Sequence, residues 1–269
     1  MPAFRSVVPV AAIASTLLSA GAGSIPSMSA EFDVGQEVAA SLNSRQGAWR
    51  FIRRYTESWL TPLTDDDGWT EADLEAAERC LGLRLPPAIR EAYALFGRRQ
   101  DLTSIQDRLL GPDQLEVDTT SEVLVYRVEN QSVAVWGVPL AAMAQADPPV
   151  VMARNFEDIG WEPYLERFSL ACMEMVLSES LFSAPVELSD NRELDPAEVA
   201  LVAQRFARLA MPDYPMWALP GGSVRWFVGP EVLLCDFAGT WLWVRARTTG
   251  ALDAVRAALP GQWLMRPDQ

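Results

Sequence analysis

Two acidic runs concentrate the groups in this chain that could do chemistry. The first is Asp65-Asp66-Asp67-Gly68, three consecutive carboxylates ahead of a glycine. Carboxylate oxygens bind hard cations, but the run lacks the later glycine and glutamate of a calcium loop. Against a basic partner it is an electrostatic contact; against water it is a solvated loop. The second run is Asn155-Phe156-Glu157-Asp158-Ile159-Gly160-Trp161-Glu162. Aromatics flanked by carboxylates suit an interface anchor against arginine or lysine. Glu157 or Asp158 with Glu162 could also act as an acid–base pair, which needs a cleft and a raised carboxyl pKa. A plain surface loop is the third reading of the same residues. The candidate partner-binding residues are Asp65, Asp66, Asp67, Glu157, Asp158, Trp161 and Glu162. Trp136 joins them as an exposed contact at the end of a predicted hairpin, unless it packs into the core.

The missing side chains narrow the chemistry. The 269 residues include no histidine and no lysine, so all 22 basic residues are arginine. This leaves no Ser-His or Cys-His pair, no imidazole metal ligand, no Schiff-base amine and no Walker lysine. Pro220-Gly221-Gly222-Ser223 has the wrong glycine spacing for a phosphate loop and reads as a turn. No cofactor or metal site is expected. With 36 acidic residues the formal charge is −14. That charge repels phosphate backbones and disfavours direct nucleic-acid binding. It favours and steers basic partners, or serves solubility alone.

Cys80, Cys172 and Cys235 are far apart, odd in number and without a C-x-x-C. They point to reduced, buried thiols in a cytoplasmic protein. Residues 1–30 contain an apolar run broken by Pro9 and rich in small residues. This extension reads as a weak secretory signal or as an overextended start with Met28 the true beginning; the second reading is preferred. It is too short to span a bilayer, and no membrane association is expected.

The elements that must position these residues follow from periodicity. Helices are predicted over 36–60, 70–81, 87–97, 164–182, 195–211 and 250–259. Thr70 with Asp73 should cap the second helix, and Gly82 should end it in the left-handed region. Pro87 suits the first turn of the third, whose stripe is Ile89, Ala92, Tyr93 and Phe96. Strands are predicted at 115–117, 123–128, 132–137, 150–152, 224–228, 232–237 and 240–245. In Thr240-Trp241-Leu242-Trp243-Val244, alternation puts both tryptophans on one face, as an exposed recognition surface or under a helix. Strands joined by tight turns, with helices in separate runs, give an α+β fold with an antiparallel meander. An α+β domain is expected over 31–184. Residues 185–269 are an α+β elaboration, either part of that domain or a small second unit.

Two blocks resemble the SUKH superfamily of bacterial toxin-immunity proteins. One is Glu78 to Gly97, with Gly82-Leu83, Leu85-Pro86-Pro87, Ile89-Arg90, Tyr93 and Phe96-Gly97. The other is Leu124 to Pro139, LVYRVENQSVAVWGVP. Pro148-Pro149-Val150 is a weaker third match, and together they cover roughly residues 65–180. The resemblance implies a single α+β domain that binds and occludes a basic protein toxin, often a nuclease in that family, without chemistry of its own. A non-enzymatic scaffold or regulator of the same fold is the alternative.

Overall fold

Two helices, α1 (Val34–Ser41) and α2 (Arg45–Trp59), replace the single helix expected over 36–60. Ser44 makes the break: its Oγ accepts from the Gly47 N–H at 3.0 Å and starts α2 afresh. One face of α2 is aromatic, with Phe51 stacked on Tyr55 at 5.5 Å and Tyr55 on Trp59 at 5.7 Å. The computed structural model describes residues 32–120, 122–154 and 160–265.

The predicted corner is present. In α3 (Glu71–Leu81), Thr70 Oγ1 accepts from the Asp73 N–H, and Asp73 Oδ2 accepts from the Thr70 N–H at 3.0 Å. Gly82 ends the helix at φ +66°. Pro87 opens α4 (Pro87–Phe96), where a missing N–H costs no hydrogen bond. Ile89, Ala92, Tyr93 and Phe96 are all buried. A short α5 (Gln100–Thr103) leads into the first sheet.

That sheet holds β1 (Asp107–Leu109), β2 (Glu116–Val117), β3 (Val123–Glu129), β4 (Ala134–Pro139), β5 (Val150–Arg154) and β6 (Glu162–Leu165). All neighbours are antiparallel, in the order β1-β3-β4-β5-β6, with β2 also on β3. Strand β6 occupies the start of the span expected to be helical from residue 164. α6 begins only at Phe168 and runs to Phe182. Every residue from Phe168 to Leu181 is buried, so α6 is surrounded and does not present a single apolar stripe.

The second sheet contains β7 (Ser189–Glu193), then β8 (Ala207–Arg208) after α7 (Pro196–Arg205), then β9 (Tyr214–Pro215). β10 (Ser223–Gly229), β11 (Val232–Phe237) and β12 (Trp241–Ala246) complete it before α8 (Thr249–Ala258). Its order is β7-β12-β11-β10-β8, with β9 also on β10, all antiparallel. β7 was not foreseen because Ser-Asp-Asn-Arg-Glu has no apolar alternation. Its polar side chains are satisfied inside the fold: Asp190 Oδ2 accepts from Arg256 Nε at 2.9 Å, and Arg192 Nη1 donates to the Leu259 carbonyl at 3.0 Å. α7 stops six residues short of Met211, and the chain then pairs with β10.

The second sheet separates two apolar clusters. Its Val224, Trp226, Leu233 and Cys235 join the larger cluster around α6, which also holds Tyr126, Trp136 and Phe168. Its other face packs Leu234, Leu242 and Val244 against Val202 of α7 and Leu252 and Val255 of α8. The chain from Phe32 onward is one compact α+β unit. Cys172 and Cys235 are buried, but Cys80 is exposed, contrary to the expectation for all three thiols. Trp243 is half-buried, edge-on to Phe182 at 4.9 Å. Among the described residues no helix is long and apolar enough to cross a membrane.

Two glycines test this packing. A Cβ on Gly82 meets nothing within 4 Å, whereas one on Gly68 would lie 1.7 Å from the Ala94 carbonyl oxygen on α4. Gly82→Ala should cost about 1 kcal/mol through its left-handed backbone. Gly68→Ala must push two backbone segments apart and should cost more than about 3 kcal/mol. Urea unfolding of both variants checks the ranking, and equal losses would refute it.

Candidate functional site

The first acidic run forms a short 3-10 turn, Asp65–Asp67. Asp67 faces inward: its Oδ2 accepts from the Thr64 N–H at 2.7 Å and from Arg99 Nη1 at 3.1 Å. Burial alone would raise its pKa, but these bonds and the guanidinium charge hold the carboxyl below its ordinary range. Asp65 and Asp66 stay exposed. They flank the half-buried Trp69, whose Nε1 donates to the Gly97 carbonyl at 3.2 Å. Glu71 and Asp73 follow Trp69 at the start of α3: Glu71 is exposed and paired with Arg90, and Asp73 is half-buried and bound to Thr70. Asp113 reaches the same side through Gly111, where a Cβ would meet Asp113 Oδ1 at 2.8 Å and the Trp69 ring at 3.5 Å.

The second run is dispersed. Glu157 and Asp158 lie outside the described residues. Half-buried Trp161 donates from Nε1 to Asp118 Oδ2 at 3.2 Å. Glu162 is the ion-pair partner of Arg154. Arg154 in turn donates to the Trp217 carbonyl at 2.9 Å and to the Met216 carbonyl at 3.0 Å. Glu162 thus braces the segment after β9. Trp136 is a correction: at 1% exposure it is core, edge-on to Tyr164 at 6.0 Å. Its flat apolar bulk is worth more inside the sheet–helix interface than on the surface.

The most concentrated ionisable chemistry lies where sequence reading did not look. Arg127 of β3 donates from Nη1 to Glu174 Oε2 at 2.7 Å and from Nη2 to Asp107 Oδ2 at 2.7 Å. Its Nη2 also reaches Glu179 Oε1 at 3.4 Å. No member of this cluster has a side chain more than 5% exposed. Glu179 also accepts from the backbone N–H groups of Ile105, Gln106 and Asp107 at 2.6, 2.8 and 3.0 Å. A shift in the β3–β4 register between Val125 and Arg127 puts consecutive residues to the same use. Tyr126 meets Phe168 of α6 at 4.9 Å, while Arg127 meets Glu174 on the same helix.

One guanidinium therefore faces three carboxylates. Burial pushes Asp107 up to about 7; Arg127 opposes this, while Glu179, Glu174 and Glu129 add to it. Burial also raises Glu179, against the pull of Arg127 and of the three backbone donors. A signal for this cluster was present in the sequence. Arg127 interrupts an apolar strand and Glu174 an apolar helix, and a charge in a segment buried on all sides requires an opposite one.

A small cleft of about 40 Å³ opens beside the cluster, between β1, α6 and β9. Asp107, Glu174, Trp136, Tyr164 and Tyr214 form its inner wall; Trp217 and Phe237 stand at its half-buried mouth. Tyr214 Oη donates to Glu174 Oε1 at 3.4 Å and accepts from Trp226 Nε1 at 2.8 Å. Among the described residues no group of three or more Cys, Asp or Glu side chains is placed to hold a metal ion. Neither protein-family models, nor curated proteins, nor solved structures give a match to this chain.

The cluster sets two expectations. Arg127→Met strands three buried carboxylates and should destabilise the fold by about 3–5 kcal/mol, read by urea unfolding. The raised Asp107 carboxyl keeps a proton in the folded state that the unfolded chain loses above about pH 4. Its stabilising contribution is therefore full below about pH 4, declines as pH rises to about 7, and is then flat. Asp107→Asn cannot ionise. Relative to the parent it should gain stability between about pH 4.5 and 7 and hold a constant difference above. Unfolding curves at several pH values that keep the two proteins parallel throughout would dismiss the raised carboxyl.

Proposed function

We propose that this chain is a non-enzymatic, cytoplasmic binding protein that neutralises a basic protein toxin by covering it, the role implied by the SUKH resemblance. One observation carries the reading: the carboxylates divide into two populations. Interior ones such as Glu174, Glu179 and Asp190 are committed to arginines or backbone donors. Asp65, Asp66 and Asp113 are exposed and gather around the half-buried Trp69, with Glu71, held by Arg90, at the edge of the group. Arg98 lies over the Trp69 ring at 5.7 Å, and the exposed carboxylates beside it give an acidic rim, which suits arginine- or lysine-rich surfaces. The −14 charge steers such a partner from a distance and repels nucleic acid. A scaffold serving a non-toxic basic partner would use the same face, and the partner's own activity separates the two.

Affinity capture of the full chain at low salt, followed by co-expression with the captured protein, tests the proposal. The expected partner carries a basic domain that arrests growth alone and not with this chain. With the purified pair, association should slow at least about tenfold between low and roughly 0.5 M salt, where screening shortens to a few ångströms. The double variant Asp65→Arg, Asp66→Arg should slow it comparably without lowering the melting temperature. Salt-insensitive association would sink the charge argument, and a harmless partner would replace neutralisation by the scaffold reading.

A further inference from the structure

The cleft beside Arg127 has chemistry that the acidic face does not use. Asp107 commits Oδ2 to Arg127 and leaves Oδ1 buried without a hydrogen-bond partner. Trp136, 1% exposed on the same wall, has an unpartnered Nε1. Glu174 is the second carboxylate of the wall. With three carboxylates around one guanidinium, the local charge is negative whenever at least two of the three are ionised. Around this acidic floor the surface is aromatic. Tyr164 lies edge-on to Tyr214 at 5.1 Å, and Trp217 stands at the mouth on carbonyls fixed by Arg154.

A negative floor under aromatic walls selects a cation with a short apolar stem. No side chain of this protein supplies an ammonium group, because it contains no lysine. The dimensions choose among cations. About 40 Å³ admits roughly three water-sized positions at about 10–15 Å³ each. An ammonium with one or two carbons fills that space; a guanidinium, four heavy atoms before its stem begins, overfills it and is left partly in the open mouth.

We propose that the cleft between β1, α6 and β9 binds an alkylammonium group, with Asp107 Oδ1 accepting from the nitrogen and Trp217 covering the alkyl stem. The group comes either from a free small amine or from a lysine side chain of another polypeptide. This site goes beyond the toxin-binding reading and stands whether or not the acidic face engages a partner.

Titration of the full-length protein with ethylammonium chloride at about pH 8.5, where Asp107 is ionised and the amine still charged, tests it, following the indole N–H resonance of Trp136, with potassium chloride as the ionic control. The expected result is a saturable shift that potassium does not produce and guanidinium produces only weakly. Asp107→Asn should weaken binding at least about tenfold, the loss of a charge-assisted hydrogen bond. Trp217→Ala, at the half-buried mouth, should weaken it several-fold through the lost ring contact. Nα-acetyl-lysine methylamide distinguishes the sources. Binding as tight as ethylammonium assigns the site to a lysine side chain, and exclusion assigns it to a free amine. A response equal to that of potassium overturns the proposal, as does unchanged affinity in Asp107→Asn. Should that variant not fold, unchanged affinity in Trp217→Ala overturns it.

Discussion

The fold depends on one buried guanidinium. α6 passes through the middle of the molecule with water on no side, yet it carries Glu174 and Glu179. A buried carboxylate costs several kcal/mol unless an opposite charge or several donors meet it. Arg127 supplies the charge, and the N–H groups at 105–107 supply donors to Glu179. Together they tie α6 to β3 and to the entry of β1. Arg127 can do this because the β3–β4 pairing shifts beside it, so that Tyr126 and Arg127 both serve the same helix. Strict alternation would have sent one of them to the opposite face.

A second arginine sets the relation of the late segments to this centre. Arg245 of β12 donates to the Ser180 carbonyl on α6 and to the Trp59 carbonyl at the end of α2. Trp226 and Tyr214 extend the hydrogen-bond chain from the second sheet to Glu174. The C-terminal strands thereby contribute to the main core and close one wall of the cleft, and the cleft's acidic floor is a consequence of how α6 is held.

Charge is therefore used twice. Inside, arginines outnumbered by carboxylates organise helix and sheet, with one carboxyl titrating near neutrality. Outside, Asp65, Asp66 and Asp113 stay exposed where the turn at 65–67 and the loop at 111–113 approach Trp69. Since lysine and histidine are absent, arginine is the only cationic side chain available for both tasks.

Local signals were legible in the sequence. Thr70 with Asp73, Gly82 and Pro87 marked their helix ends, because capping and φ preferences act over three or four residues. The apolar hairpins at 123–139 and 224–245 were legible from β-rich runs and turn residues. Ser44 broke a helix that periodicity joined, since a cap competes with continuation and both patterns fit the sequence. β6, β7 and the end of α7 were not legible, because their conformation is set by the strand each pairs with. The site divides in the same way. The sequence by itself determined the acidic charge and the chemistry excluded by the missing histidine and lysine. Only the tertiary structure decided that Trp136 is core, that Glu162 braces Arg154, and that Asp107, Glu174 and Glu179 meet at Arg127. Those groups lie up to 72 residues apart in sequence, between Asp107 and Glu179, and long-range packing alone brings them together.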